Sequence, residues 1–161
     1  MRSTHPNNFD AVTRLLATEI TRKKEFQEMT ELLSFICHTP IAMISLTGRD
    51  KQYIKFKVGI DLQELLKEDT FCQYISEAQQ MLIIQDATKD QRFFDNPLVV
   101  KAPFVRFYAG MPLITKSGVR VGSICVLGRM PKELSATQKH RMRVLCKRIS
   151  EMIELEFSQV A

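Results

Sequence analysis

Residues 104–127 read FVRFYAGMPLITKSGVRVGSICVL, two long apolar runs separated only by the polar turn Lys116-Ser117-Gly118. So short a link returns the second run antiparallel to the first, because a parallel return needs a crossover of a dozen or more residues. The same construction occurs earlier. Ile41 to Leu46 is nearly all apolar, Thr47-Gly48-Arg49-Asp50 is a turn, and Gln52 to Val58 alternates. Strict alternation places Ile54, Phe56 and Val58 on one face and Tyr53, Lys55 and Lys57 on the other. Two hairpins of this kind require an antiparallel sheet with one wetter face.

Helical signals bracket the hairpins. Phe9 to Leu16 suits one or two turns, and Phe26, Met29, Leu33 and Ile36 recur at helical spacing until Thr39-Pro40 stops them. Ser135-Ala136-Thr137-Gln138 is a capping-box pattern, followed by a stripe at Met142, Leu145, Ile149, Met152 or Ile153, and Phe157. Between the hairpins, Asp61 to Glu68 is a polar connector, and Asp69-Thr70 is placed to cap a short helix starting near Phe71-Cys72. Met81 to Ile84 is a short strand, and Ala87 to Lys101 is loop with a helical turn around Asp95-Asn96-Pro97. The order predicts an α+β fold, with the terminal helices on one face of the sheet and the middle of the chain over the other.

A chain of 161 residues suits one domain, and 45% hydrophobic with 25% charged residues is ordinary globular composition. No apolar run reaches the roughly 20 residues that span a bilayer. The polar opening Met1 to Asn8 lacks the apolar stretch of a signal peptide, so cytoplasmic residence without a membrane partner is expected. The net charge of +5 is scattered rather than gathered on one motif, which speaks against nucleic acid as a partner. Cys37, Cys72, Cys125 and Cys146 form no C-x-x-C pair and have no histidine at zinc-ligand spacing, so no metal is expected.

The stretches TPIAMISL with KQYIKFKVGID, then DTFCQYI, DQRFFDNPLV, and RFYAGMPLITKSGVRVGSICVL leading to PKELSATQ, taken in that order, resemble the GAF domain. The likeness runs from about Phe26 to Phe157 and is to the bacterial subgroup attached to histidine kinases and diguanylate cyclases. It implies a six-stranded antiparallel sheet, N- and C-terminal helices on one face, and a ligand cavity covered by loops and helix on the other. The corresponding partition is an N-terminal helical extension over residues 1–24 and a GAF domain over 25–158, whose last helix is 135–158. The resemblance also implies homodimerisation through the terminal helices and a kinase or cyclase output domain in a two-component or related signalling protein.

On that fold Arg106, Tyr108 and Gly110 share the cavity face of the long strand, while Phe107, Ala109, Met111 and Leu113 face the helices. Arg106 is expected to recognise an anion in the cavity or to pair with Asp86, Asp90 or Asp95 and pin the long loop. Phe71, Phe93 and Phe94 are expected to line or plug the cavity. Cys72, in the first turn of the expected capped helix, is the candidate for a reactive thiol, whereas Cys37, Cys125 and Cys146 belong to the core. Asp90 and Asp95 flank aromatics without a nucleophile, and His38 and His140 have no orienting partner, so no catalytic group is assembled.

The chain lacks the N-K-x-F signature of cyclic-nucleotide-binding relatives and the Cys-His pair that bilin-binding relatives carry before the long strand. It also lacks the cysteine cluster of those that reduce free methionine sulfoxide. No cofactor is expected. The reading is a non-catalytic module that senses an unidentified small molecule; the alternative is a thiol-based redox sensor or reductase working through Cys72.

Overall fold

The computed structural model describes residues 6–76 and 81–160. The first five residues of the expected N-terminal extension lie outside them. The element order is α1 (Pro6–Ala17), α2 (Lys23–Cys37), β1 (Ile41–Thr47), β2 (Lys51–Val58), β3 (Glu64–Leu66), β4 (Leu82–Ile84), α3 (Pro97–Val100), β5 (Phe107–Ile114), β6 (Arg120–Gly128) and α4 (Ala136–Val160). The strands form one six-stranded sheet in the order β3-β2-β1-β6-β5-β4, and every neighbouring pair is antiparallel. The fold is α+β, as the two hairpins require. β3 is an addition, because Glu64 to Leu66 pairs with Lys51 to Tyr53 inside what reads as a polar connector.

Two apolar layers sandwich the sheet. On one side α1, α2 and α4 pack Val12, Leu15, Phe26, Leu33, Met142, Ile149 and Met152 against Ile44, Phe107, Ala109, Leu113 and Ile124. Phe26 stacks on Phe56 with ring centroids 5.1 Å apart. The capping box at the start of α4 is formed as the sequence spells it: Ser135 Oγ accepts from Gln138 N, and Gln138 Oε1 accepts from Ser135 N. α2 ends where expected, with His38 in the left-handed region at φ 53° just before Thr39-Pro40. A buried carboxylate joins the chain ends, since Glu156 of α4 accepts from both the backbone N and the Oγ1 of Thr21, between α1 and α2. Among the described residues no helix is long and apolar enough to cross a membrane.

Alternation along two strands is interrupted, and this reshapes the opposite face. The β1–β2 register steps from Ile44–Phe56 to Ser45–Ile54, leaving Lys55 as an extra residue in β2. Such a bulge re-aims the residues beyond it. Phe56 therefore packs under the helices while Ile54 joins the other apolar layer, which corrects the expectation that they share a face. In β6 the register steps from Leu113–Gly122 to Ile114–Arg120, with Val121 as the extra residue. Val121 turns into the helix-side core, and Arg120 turns to the loop side.

Candidate functional site

The loop-side layer is roofed by residues 62–76 and 81–105 and lies over the face carrying Met43, Ser45, Ile54, Tyr108, Ser123, Cys125 and Leu127. Tyr108 dominates it. A Cβ at Gly110, two residues along the same strand face, would overlap the Tyr108 hydroxyl and stand 2.5 Å from its Cζ. Glycine at 110 is what lets the phenol lie flat along the strand. Over that ring, Phe71 packs with centroids 5.0 Å apart, and Phe71 in turn stacks on Phe93 at 4.2 Å. The aromatic pile leaves a small apolar cavity of about 30 Å³, bounded by Phe71, Cys72, Leu98, Tyr108 and Cys125 among others.

Tyr108 is 2% exposed, and its hydroxyl has no hydrogen-bond partner among the described residues. Burial, with the neighbouring Cys125 and Cys72, pushes the phenol well above its ordinary range, so it is held as a neutral O–H. A buried hydroxyl without a partner costs on the order of 1–3 kcal/mol. It is the one such side chain in this layer among the described residues.

Gln52, Thr70 and Cys72 bound this cavity on one side and a second, wider pocket of about 270 Å³ on the other. The wider pocket carries basic and polar side chains on a largely apolar surface, and is lined also by Thr47, Lys67, Gln73, Arg120 and Phe9 of α1. The two bulges build it. Beyond Lys55, Gln52 Nε2 donates to Ser45 Oγ at 2.9 Å, Gln52 Oε1 accepts from Thr47 Oγ1, and Ser45 Oγ meets Ser123 Oγ at 3.1 Å. Before Val121, the Arg120 guanidinium donates to the carbonyls of Ile75 (2.8 Å) and Cys72 (2.6 Å). That fixes the roof turn and leaves further N–H donors free. The Lys67 ammonium sits 4.6 Å from the centre of the Phe9 ring, with the Arg49 guanidinium 5.4 Å from the same ring. Among the described residues neither Lys67 nor Arg120 is in a salt bridge. Burial holds the Lys67 pKa below its ordinary value; Asp50 and Cys72 counter this, while Arg120 and Arg49 add to it.

Of the residues singled out from the sequence, Phe71, Cys72, Phe93, Tyr108 and Gly110 come together in this layer. Phe94 does not. It is 54% exposed, in a turn where both Phe93 N and Phe94 N donate to Asp90 O and Phe93 alone of the two is buried. Arg106 is also outside the cavity, and it pairs with none of Asp86, Asp90 or Asp95. Its Nη1 donates to the carbonyls of Val99 and Val105, so it pins the loop through backbone oxygens. Asp90 is instead taken by Arg92 through its N, Nε and Nη2, which holds the carboxyl below its ordinary range.

The helix expected at Cys72 is a single 3-10 turn, Cys72–Tyr74, without a side-chain cap. It is too short to carry the macrodipole on which the thiol-switch expectation rested. Gln52, Ser45, Ser123 and Arg120 were missed, since a polar residue on a bulged strand looks solvated when alternation is assumed, and Lys67 was missed because it opens a single 3-10 turn inside what reads as a polar connector. Asn96 was missed too. Its Oδ1 accepts from Leu98 N, and its Nδ2 donates to Asp69 O, joining α3 to the roof beside Thr70.

An antiparallel six-stranded sheet with a terminal helix layer and a roofed pocket is the architecture of small sensory modules. The model of the GAF domain family matches residues 21–156, and the chain belongs to that family. A cyclic di-GMP phosphodiesterase of Pseudomonas aeruginosa is 38% identical over 107 residues, which make up 66% of this chain and 18% of that protein. The chain therefore corresponds to under a fifth of this curated relative. Among solved structures, the phycocyanobilin-bound GAF domain of a cyanobacterial phytochrome superposes with a TM-score of 0.69 at 11% identity, covering 94% of this chain and 96% of that one. A domain of a two-component sensor histidine kinase from Sinorhizobium meliloti gives 0.66 at 9% identity, covering 84% and 93%. At such identities the likeness is one of fold.

Proposed function

We propose that this chain is a non-catalytic sensory or regulatory GAF module of a bacterial signal-transduction protein, binding a small molecule on the loop side of its sheet. The observation that carries the reading is the pair of adjoining spaces under the roof: a pocket carrying basic side chains, a boundary shared at Gln52, Thr70 and Cys72, and an apolar cavity walled in part by Tyr108. Residues 25–158 form the module, preceded by the helical extension 1–24.

Phe9 supports a route out of the site, because it brings α1 into the wall of the pocket while α1 and α4 share one helix-side core. A ligand that fits one placement of α1 better than another shifts the helix layer toward it by its differential affinity. The exposed apolar side chains on the outer helix surface, Leu32, Phe35, Val144 and Leu155, suit a homodimer formed through these helices. The output is a histidine kinase, a cyclase or, as the P. aeruginosa relative suggests, an enzyme of cyclic di-GMP turnover. The module works in the cytoplasm, and neither nucleic acid nor membrane takes part.

Thermal unfolding in the presence of fractionated small-molecule extract tests the reading. At least one fraction is expected to raise the Tm of the chain and not that of Gln73→Trp, an exposed rim position where indole blocks the mouth. Equal shifts for both proteins would show that the pocket is not the binding site.

A further inference from the structure

The proposed sensory site has a built-in polarity. At the outer end stand Lys67 and Arg120, two cations without a carboxylate partner among the described residues. Gln52, Thr70 and Cys72 line both spaces and form the neck of the proposed site, and beyond them stand apolar walls of Met43, Ile54, Leu98 and Leu127. Tyr108 walls the inner cavity, and its buried hydroxyl, lying over Gly110, has no hydrogen-bond partner among the described residues.

Each end points to a different part of a ligand. Two unpaired cations in one pocket call for an anionic head, since a charge-assisted hydrogen bond is about twice as strong as a neutral one. A neutral buried O–H calls for a hydroxyl or carbonyl at the far end, because the orphaned group then recovers its lost hydrogen bond.

We propose, resting on the sensory reading of the same site, that its ligand is an elongated organic anion. A carboxylate or phosphate head lies between Lys67 and Arg120, an apolar body passes the neck, and an oxygen at the far end meets the Tyr108 hydroxyl. The inner cavity of about 30 Å³ holds little more than that terminal group, so the body fills the wider pocket and neck. Because the Lys67 ammonium already lies against the Phe9 ring, a head that draws it inward loosens α1 from the pocket wall.

Calorimetric titration of the full chain tests this with the straight-chain acids butanoate to octanoate, their ω-hydroxy forms, the matching alkyl phosphates, the matching neutral alcohols, and inorganic phosphate. The acids and alkyl phosphates differ only in head, so the tighter series names the source of the anion. Either series is expected to bind on the order of tenfold more tightly than the alcohols and than inorganic phosphate. Lys67→Gln is expected to lose that margin and leave the alcohols unaffected. The hydrogen bonds of Lys67 run through its backbone, its N donating to Asp50 O and its O accepting from Thr70 N, and Lys67→Gln keeps both while giving up only the contact of the ammonium with Phe9.

Tyr108→Phe is expected to raise the Tm of the free protein while abolishing the preference for ω-hydroxy acids. Added salt gives an independent reading on the unaltered chain, weakening the anions and sparing the alcohols. Alcohols binding as well as acids, inorganic phosphate binding as well as either series, no binding by any anion, or an unchanged margin in Lys67→Gln would each overturn the proposal. A neutral metabolite retained by the purified chain would overturn it too, while leaving the sensory reading intact.

Discussion

Gly110 and Tyr108 behave as one unit, and the sequence shows both residues without showing the dependence. Gly110→Ala places a methyl where the phenol lies. The expected cost is about 1–3 kcal/mol, as for other overpacked cores. In a Tyr108→Leu background the same substitution is expected to cost less, a coupling readable by urea denaturation of the four proteins; equal costs would show that the two side chains do not interfere. The core thiols behave differently. Burial pushes Cys37 and Cys146 up to about 11 from an ordinary value of 9.0, with minor opposition from Lys132 and Ser150 respectively. Since the folded state holds these protons to higher pH than the unfolded state, their contribution is whole below pH 9 and is lost as pH rises toward 11. Stability is therefore expected to fall across that window. Cys146→Ala is expected to show a shallower fall, by up to about 1.4 kcal/mol per pH unit. An unchanged slope would assign the alkaline loss to other groups.

At the scale of elements, the hairpins, the capped α4 and the faces of β5 are legible because local rules decide them. Lys116-Ser117-Gly118 permits one return direction, Ser135 and Gln138 satisfy each other, and Tyr108 and Phe107 alternate as any regular strand requires. The polar pocket is not legible, because it is made by departures from those rules. The Lys55 bulge brings Gln52 and Ile54 across the sheet, and the Val121 bulge does the same for Arg120. Neither position carries a glycine or proline that would flag it. Tertiary packing selects these bulges, with Phe56 held against Phe26 on one side and Gln52 against Ser45 on the other. A deletion pair checks this. Removing Lys55 leaves Ile54 opposite Ser45 and Phe56 opposite Ile44, with every side chain on its present face, so that variant is expected to unfold cooperatively. Removing Tyr53 turns Gln52 into the helix-side core, where its amide has no partner, and is expected to abolish the cooperative transition. The reverse outcome would show that the bulge itself, rather than the faces it sets, sustains the sheet.

For the whole molecule, the two layers divide the labour. The helix side is densely apolar and joined across the chain ends by Glu156 and Thr21, and the loop side carries the pocket with Lys67 and Arg120, neither in a salt bridge among the described residues. α1 belongs to both, through Val12 and Leu15 in the helix core and Phe9 at the pocket wall. A change in the pocket can therefore reach the helices without passing through the sheet. The proposed sensory role depends on that pocket taking up a small molecule. Native mass spectrometry of the chain expressed in its own host weighs such a molecule directly. A discrete added mass that disappears on denaturation, and that is missing from the Gln73→Trp variant, is the predicted result. Identical native and denatured masses, unchanged after incubation with host metabolite extract, would contradict a sensory role for this pocket.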